Sequence, residues 1–485
     1  MSEGIEGPVS TPGPQRLLRR WDTIAIIVGI VVGAGIFKTP SMVAGITGDA
    51  GWMIVAWLLG AGISLAGALC YAELATAFPH AGGDYHFLTR AYGRNLSFLY
   101  AWARTMVINA GSIALLAFVF GDYLSAAIPL GARSSAIWAA VIVIALTLLN
   151  IAGLRATSRT QNVLTTIEVA ALIAIVVAGL LAPAAAGSAG LPFTHTPAPG
   201  MFGLAMVFVL LTYGGWNEAA YVSAELKGGR RAMVGALVLS IAIIAALYVA
   251  VNLALLHGLG LKGLSDTKAA GADVMVRAFG PLGGQLLGLG VAIATLTSIN
   301  ATMIVGARTN YAVARDWPAL GFLSGWNESR DVPVAAYIFQ ALITLTLVGF
   351  GALQHDGFTA MVEFTAPVFW AFLMLVGLAL FILRAQSGEI DRPFRVPLYP
   401  LTPMVFCLVC AYLFYSSVTY AASKDAVHIS LSVMAIGFVV LILMRLLNKR
   451  RTSDEQASLI ASAPAVSEVY RRDSSFSCHG DESNG

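Results

Sequence analysis

Residues 29–37 read GIVVGAGIF, and the glycines at 29, 33 and 35 fall inside an apolar run over residues 22–46. A run of that length can cross a bilayer, for which about 20 apolar residues suffice. Glycine in its middle removes side-chain bulk and admits non-helical dihedrals, so Gly33-Ala34-Gly35 predicts a helix broken inside the membrane. Non-helical backbone at membrane depth survives only where it is buried in protein or lines a cavity. The break therefore reads as one wall of a solute site.

A second run is interrupted in the same way. Residues 210–218 read LLTYGGWNE, and Gly214 follows Gly33 by 181 residues. Five apolar spans run from the first break to the second, so the second broken span enters the membrane from the opposite side. Paired glycine-interrupted spans in corresponding positions of two halves point to a transporter built from an inverted repeat. Packing glycines between ordinary helices are the structural alternative for each break taken singly.

The composition agrees with a membrane protein. Of 485 residues, 58% are hydrophobic and 11% charged, against roughly 25% charged in a soluble domain. Apolar runs predict an all-α membrane protein of twelve transmembrane helices. They lie near 22–46, 51–77, 95–120, 135–153, 161–182, 203–225, 232–257, 284–312, 333–352, 358–384, 397–421 and 426–447. The expected organisation is a cytoplasmic segment 1–20, a first repeat over 21–182 and a second over 203–384. Two further helices span 397–447, and a Ser-, Ala- and charge-rich tail, 452–485, is expected to be disordered. Twenty Lys and Arg residues near span ends lie on the side shared with the termini and six on the other. This bias predicts cytoplasmic termini, in a plasma or inner membrane. The net charge of +3 gives no argument for nucleic acid. The four cysteines suggest neither a disulfide nor a zinc site, and residues 1–20 lack the apolar core of a signal peptide.

A broken helix offers two poles. Amides opening its second half carry the positive end of a helix dipole and suit a carboxylate. Carbonyls closing its first half suit an ammonium. Together they fit the zwitterion of an α-amino acid.

The chain also resembles the amino acid–polyamine–organocation superfamily, close to the L-type and related bacterial amino acid permeases. The motifs are GIVVGAGIFKTP (29–40), FPHAGGDYHFLTRAYG (78–93), YGGWNEAAYVSAEL (213–226), NATMIVGARTNYAVARD (300–316) and RPFRVPLYP (392–400). The resemblance covers roughly residues 20–448. It implies a five-plus-five inverted repeat with unwound first and sixth helices, plus two C-terminal helices, and alternating-access transport of amino acids. It also implies that the amides around Gly33, Ala34 and Gly35 hold the substrate carboxylate. The carbonyls of Val31, Leu211 and Gly214 would hold its amino group. Relatives often carry an aromatic lid where Leu211 stands and a serine where Ala34 stands.

Ionisable residues inside spans are functional hypotheses by default. Glu168, in the fifth span, stands where sodium-independent relatives often have lysine. It is the candidate coupling residue, as a proton carrier or, with Thr297 and Ser298, as an all-oxygen sodium site; a structural ion pair is the alternative. A carboxyl removed from water can exchange a proton near neutral pH. Glu73 is expected to pair locally, Arg104 to snorkel or pair, Glu218 to face a wet inner cavity, and Glu363 to lie near the outer face. Lys38 is expected to snorkel. Asn217 is a candidate brace for the unwound backbone, and Trp216 a packing residue.

The GxGxxG at 258–263 follows a membrane helix rather than a strand, so it does not read as a dinucleotide site. No clustered nucleophile, base or metal set suggests an enzyme, and no cofactor is expected beyond a coupling proton or sodium ion. The expected partners are a small-molecule amino acid, small or medium and neutral, and membrane lipid. The sequence names no protein partner. Sodium-coupled or exchange transport of cationic amino acids or polyamines, and a non-transporting amino acid sensor, remain alternatives.

Overall fold

The computed structural model describes residues 24, 28, 31–78, 83–153, 158–185, 190–191, 193–218, 229–330, 332–386, 392–421 and 424–462. The segment 1–20, Gly29, the stretch 219–228 and the tail beyond 462 lie outside the described residues, and so does the side chain of Glu218.

The α-helices are α1 (Thr39–Thr47), α2 (Ala50–Ala77), α3 (Gly83–Tyr92), α4 (Arg94–Ala103), α5 (Ala110–Ala127), α6 (Ser134–Ile151) and α7 (Ser158–Leu181). They continue as α8 (Pro199–Thr212), α9 (Gly229–Asp266), α10 (Ala270–Asp316), α11 (Val334–Gly351), α12 (Gly357–Gln386), α13 (Leu401–Thr419) and α14 (Lys424–Ser462). Among the described residues nine helical stretches are long and apolar enough to cross a membrane. Thr166–Leu181 and Pro199–Thr212 are shorter apolar helices. Asn327 and Val332 form an isolated β-bridge.

Two of these helical stretches are broken by a glycine in the left-handed region: α9 at Gly260 (φ 70°) and α10 at Gly280 (φ 75°), each within a few residues of an expected span end, 257 and 284. The last helix runs to Ser462, past the residue at which the expected tail begins.

Within residues 1–435 the helices pack around a shared interior. α10 lies against α5 and α7, α9 against α2 and α7, and α12 against α5 and α13. Many outward side chains are apolar: Leu148, Leu180 and Leu282 are more than half exposed. The interior holds the polar exceptions.

Glu73, on α2, is fully buried and pairs far from its own sequence neighbourhood, contrary to the local pairing expected of it. Its carboxylate accepts Arg384 Nε at 2.7 Å and Nη2 at 2.5 Å, and the Val396 amide at 2.6 Å. Arg392 Nε lies 3.7 Å away. The Arg384 guanidinium also covers the Tyr399 ring. One carboxylate thus ties α2 to the end of α12 and to the RPFRVPLYP segment. Glu363, near the start of α12, is buried.

Asp49 caps α2. Its Oδ1 accepts the Trp52 amide at 3.0 Å, and its Oδ2 accepts the amides of Thr194 and His195 and the Thr194 hydroxyl. The segment before α8 is thereby pinned to the start of α2. Burial would raise the pKa of this carboxyl, but the three amides and the hydroxyl outweigh it and hold it below the usual range. A depressed carboxyl contributes stability that is fully present above its unfolded pKa of about 3.9 and lost as pH falls through the folded value. Asp49→Ala should therefore cost about 1 kcal/mol at neutral pH, the usual worth of such a cap. Thermal unfolding in detergent at pH 7 checks this; an unchanged midpoint would refute it.

Candidate functional site

The first break is visible in the backbone. Helical geometry stops at Val31, Gly33 is extended (φ −105°, ψ 177°), and a 3-10 turn, Ala34–Phe37, leads into α1. The Gly33 amide turns back onto the Val31 carbonyl at 2.8 Å. Ala34 and Gly35 open the 3-10 turn, so their amides have no acceptor within it. The second break follows α8: the chain turns at Tyr213-Gly214-Gly215 and re-enters a 3-10 turn, Trp216–Glu218. Gly215 has φ 105°, a conformation that a side chain would disfavour.

The two breaks are held together. The Thr212 hydroxyl lies 2.7 Å from that of Thr39 and donates to the Phe208 carbonyl at 2.9 Å. A methyl group at Gly35 would sit 3.3 Å from Thr212 Oγ1, tight enough that glycine sets the approach. The Tyr248 hydroxyl lies 3.0 Å from the Val31 carbonyl and 3.3 Å from that of Thr212, bridging the first break to the end of α8. Two donors, Gly33 and Tyr248, therefore already engage the Val31 carbonyl that was matched to the substrate amine.

Both breaks border one cavity of about 350 Å³, within the range of small-molecule sites. Val31, Gly33, Gly35, Leu211, Gly214 and Asn217 all line it, and Ala34 lies in the backbone between two of them. Glu168, Thr297 and Ser298 line the same cavity. The structure thus brings the substrate candidates and the coupling candidates to one space. Glu168 is 2% exposed, and its Oε1 has no hydrogen-bond partner among the described residues.

Among the other cavity residues, Asn109, Ser112 and Thr365 were not singled out by the sequence. Arg104 and Asn109 bound a six-residue π-helix, Arg104–Asn109, and both line the cavity with Ser112 and Thr365. Single π turns inside α-helices recur at functional sites. Arg104 is buried rather than snorkelling, and its Nη1 donates to the Tyr100 hydroxyl, which donates to Asp84. Tyr248 had one available signal: a tyrosine in mid-span, away from the interfacial belts where tyrosine is common.

On the side facing Lys38 the cavity is lined by Phe208 and Phe358, a roof of two rings stacked with centroids 6.5 Å apart. Lys38 lies against this roof. It is 1% exposed, its Nζ donates to Asp122 Oδ2 at 2.8 Å, and Asp356 Oδ1 is 3.8 Å away. The expected snorkelling is therefore corrected. The side chain is anchored from α5 and from the start of α12, partners that lie far along the chain. Burial would raise the Asp356 carboxyl's pKa, but Lys38, the Thr359 hydroxyl and amide, and Lys268 hold it below the usual range.

A profile of the amino acid permease family matches residues 18–442. The chain is similar to the human b(0,+)-type amino acid transporter 1, 28% identical over 397 residues, covering 80% of each chain. It is similar to the serine/threonine exchanger SteT of Bacillus subtilis (strain 168), 28% identical over 390 residues, 79% of this chain and 86% of that one. It also resembles the human large neutral amino acids transporter small subunit 2, 27% identical over 401 residues, 80% of this chain and 73% of that one.

Proposed function

This chain belongs to the amino acid permease family, and we propose that it carries neutral α-amino acids across a membrane by alternating access. The observation that carries the reading is the cavity between two helix breaks. The amides opening the 3-10 turn at Ala34 and Gly35 suit a carboxylate, and the carbonyls around Leu211 and Gly214 suit an ammonium. Away from the breaks the wall is largely apolar: Ile108, Leu115, Leu116, Val305, Val362 and Phe369. Such a lining favours an apolar side chain, because a charged one would lose its hydration against these residues.

Twelve spans, an inverted repeat and cytoplasmic termini belong to the same proposal, supported by the matched breaks and the twenty-to-six distribution of Lys and Arg. Glu168 is the proposed coupling group, with a proton ahead of sodium because one carboxyl suffices to carry a proton. A second reading, obligatory exchange, is favoured by the relative named as an exchanger.

The test is uptake of a labelled amino acid panel into proteoliposomes, with and without unlabelled amino acid inside. Analogues lacking either the amino or the carboxyl group should compete roughly a hundredfold more weakly or worse, since each leaves one pole of the site unpaired. Competition by diamines or organic cations as strong as by amino acids would overturn the zwitterion reading. Uptake that depends wholly on internal amino acid would select exchange.

A further inference from the structure

The roof over the cavity is tied down by charge, and the reading of the molecule as an alternating-access transporter gives that tie a function. Lys38 leaves the first break immediately after its 3-10 turn, so its position follows any movement of α1. Its ammonium reaches two other elements. Asp122 near the end of α5 takes the closer contact, and the other oxygen of that carboxylate accepts the Ser135 hydroxyl of α6 at 2.7 Å. Asp356, just before α12, is fixed by the Thr359 amide and hydroxyl at 3.0 and 2.5 Å. Both carboxylates are thus preset by their own neighbours, and Lys38 is the group that joins them. A second contact repeats the tie: the Tyr123 hydroxyl donates to the Phe37 carbonyl at 3.1 Å, with the two rings edge to face.

The cluster lies between the roof and solvent. Lys38 Nζ is 5.9 Å from the centre of the Phe358 ring that closes the cavity. Side-chain exposure rises from 1% at Lys38 to 10% at Asp122 and 19% at Asp356. A solute entering past Lys38 would have to part Phe208 from Phe358, and Phe358 sits between Asp356 and Thr359 on the short stretch that the cluster grips.

We propose that Lys38, Asp122 and Asp356 form a latch that holds this end of the cavity shut and parts each time the cavity opens there. By the charge distribution this end is extracellular. The chemistry suits a reversible closure. Attraction within a buried ion pair roughly offsets the cost of drying the charges, so the pair adds little net stability when formed. Once parted, the three groups recover water. Removing one partner is different, because it leaves the other charges buried without compensation in the closed state only.

The test needs no knowledge of the substrate. A Ser112→Cys reporter places a thiol on the cavity wall, and a membrane-impermeant thiol reagent is applied to each face of oriented vesicles, with the parent chain as the blank. Asp122→Asn in the reporter background should label roughly tenfold faster from the extracellular face, as a shift of the closed population predicts. Lys262→Met, an exposed lysine outside the cluster, should label at the reporter's own rate. Should Asp122→Asn fail to reach the membrane, Asp356→Asn at the partly exposed rim carries the same expectation. Labelling at the reporter's rate in whichever of these is present in normal amount would overturn the latch. Acceleration from the opposite face alone would keep the latch and overturn the assigned orientation instead.

Discussion

Glu73→Ala should lose most of the folded protein from the membrane. The carboxylate is fully buried and binds three donors from two segments more than 300 residues away in sequence, Arg384 twice and the Val396 amide once. Deleting it leaves the Arg384 guanidinium and a buried amide without their acceptor. Breaking a buried pair from one side costs about 3–5 kcal/mol, a large share of a typical folding free energy. Glu73→Gln keeps an oxygen for the Val396 amide but not the charge, so its loss should be smaller. Because Glu73 does not line the cavity, the molecules that do fold should keep their affinity for substrate. Membrane abundance and thermal unfolding in detergent read the first effect, and binding per folded molecule reads the second. An alanine variant that unfolds with the parent would show that the inner tie is dispensable.

The contrast between Glu73 and the helix breaks explains what was legible in the sequence. Gly33, Gly35 and Gly214 could be read because a break is a local property: a few residues determine whether the backbone can leave the helix. The segments around both breaks line one cavity. Glu168, Thr297 and Ser298 were legible for a related reason, since polar residues in apolar spans are costly unless they face a cavity or a partner. Partners were not legible. Lys38 reads as a snorkelling lysine until Asp122 and Asp356, 84 and 318 positions on, are seen beside it. Tyr248 reads as one more ring in a hydrophobic span until its hydroxyl is found at the Val31 carbonyl.

Glu168→Gln should abolish concentrative uptake while leaving substrate binding and downhill movement intact. The substitution keeps the size of the side chain and its ability to hydrogen-bond, and removes only its ability to gain and lose a charge. Glu168 lies 2% exposed on the wall that also carries Val31 and Gly33, with one oxygen free of hydrogen-bond partners among the described residues. Such a carboxyl must either carry a proton or hold a cation when water leaves the cavity, because an unpaired buried carboxylate is costly. If that obligatory partner travels with the substrate, the gradient of the partner drives the substrate, and glutamine uncouples the two. Proteoliposomes with an imposed pH or sodium gradient separate the cases. The parent should accumulate labelled amino acid above the external concentration under one gradient and not the other, whereas Glu168→Gln should only equilibrate it. Counterflow, which needs binding and alternation but no driving ion, should survive in the variant. Glu168→Asp, with a shorter but titratable side chain, should recover part of the uphill transport. Undiminished accumulation in Glu168→Gln would remove Glu168 from coupling, and loss of binding along with accumulation would make it part of the substrate seat instead.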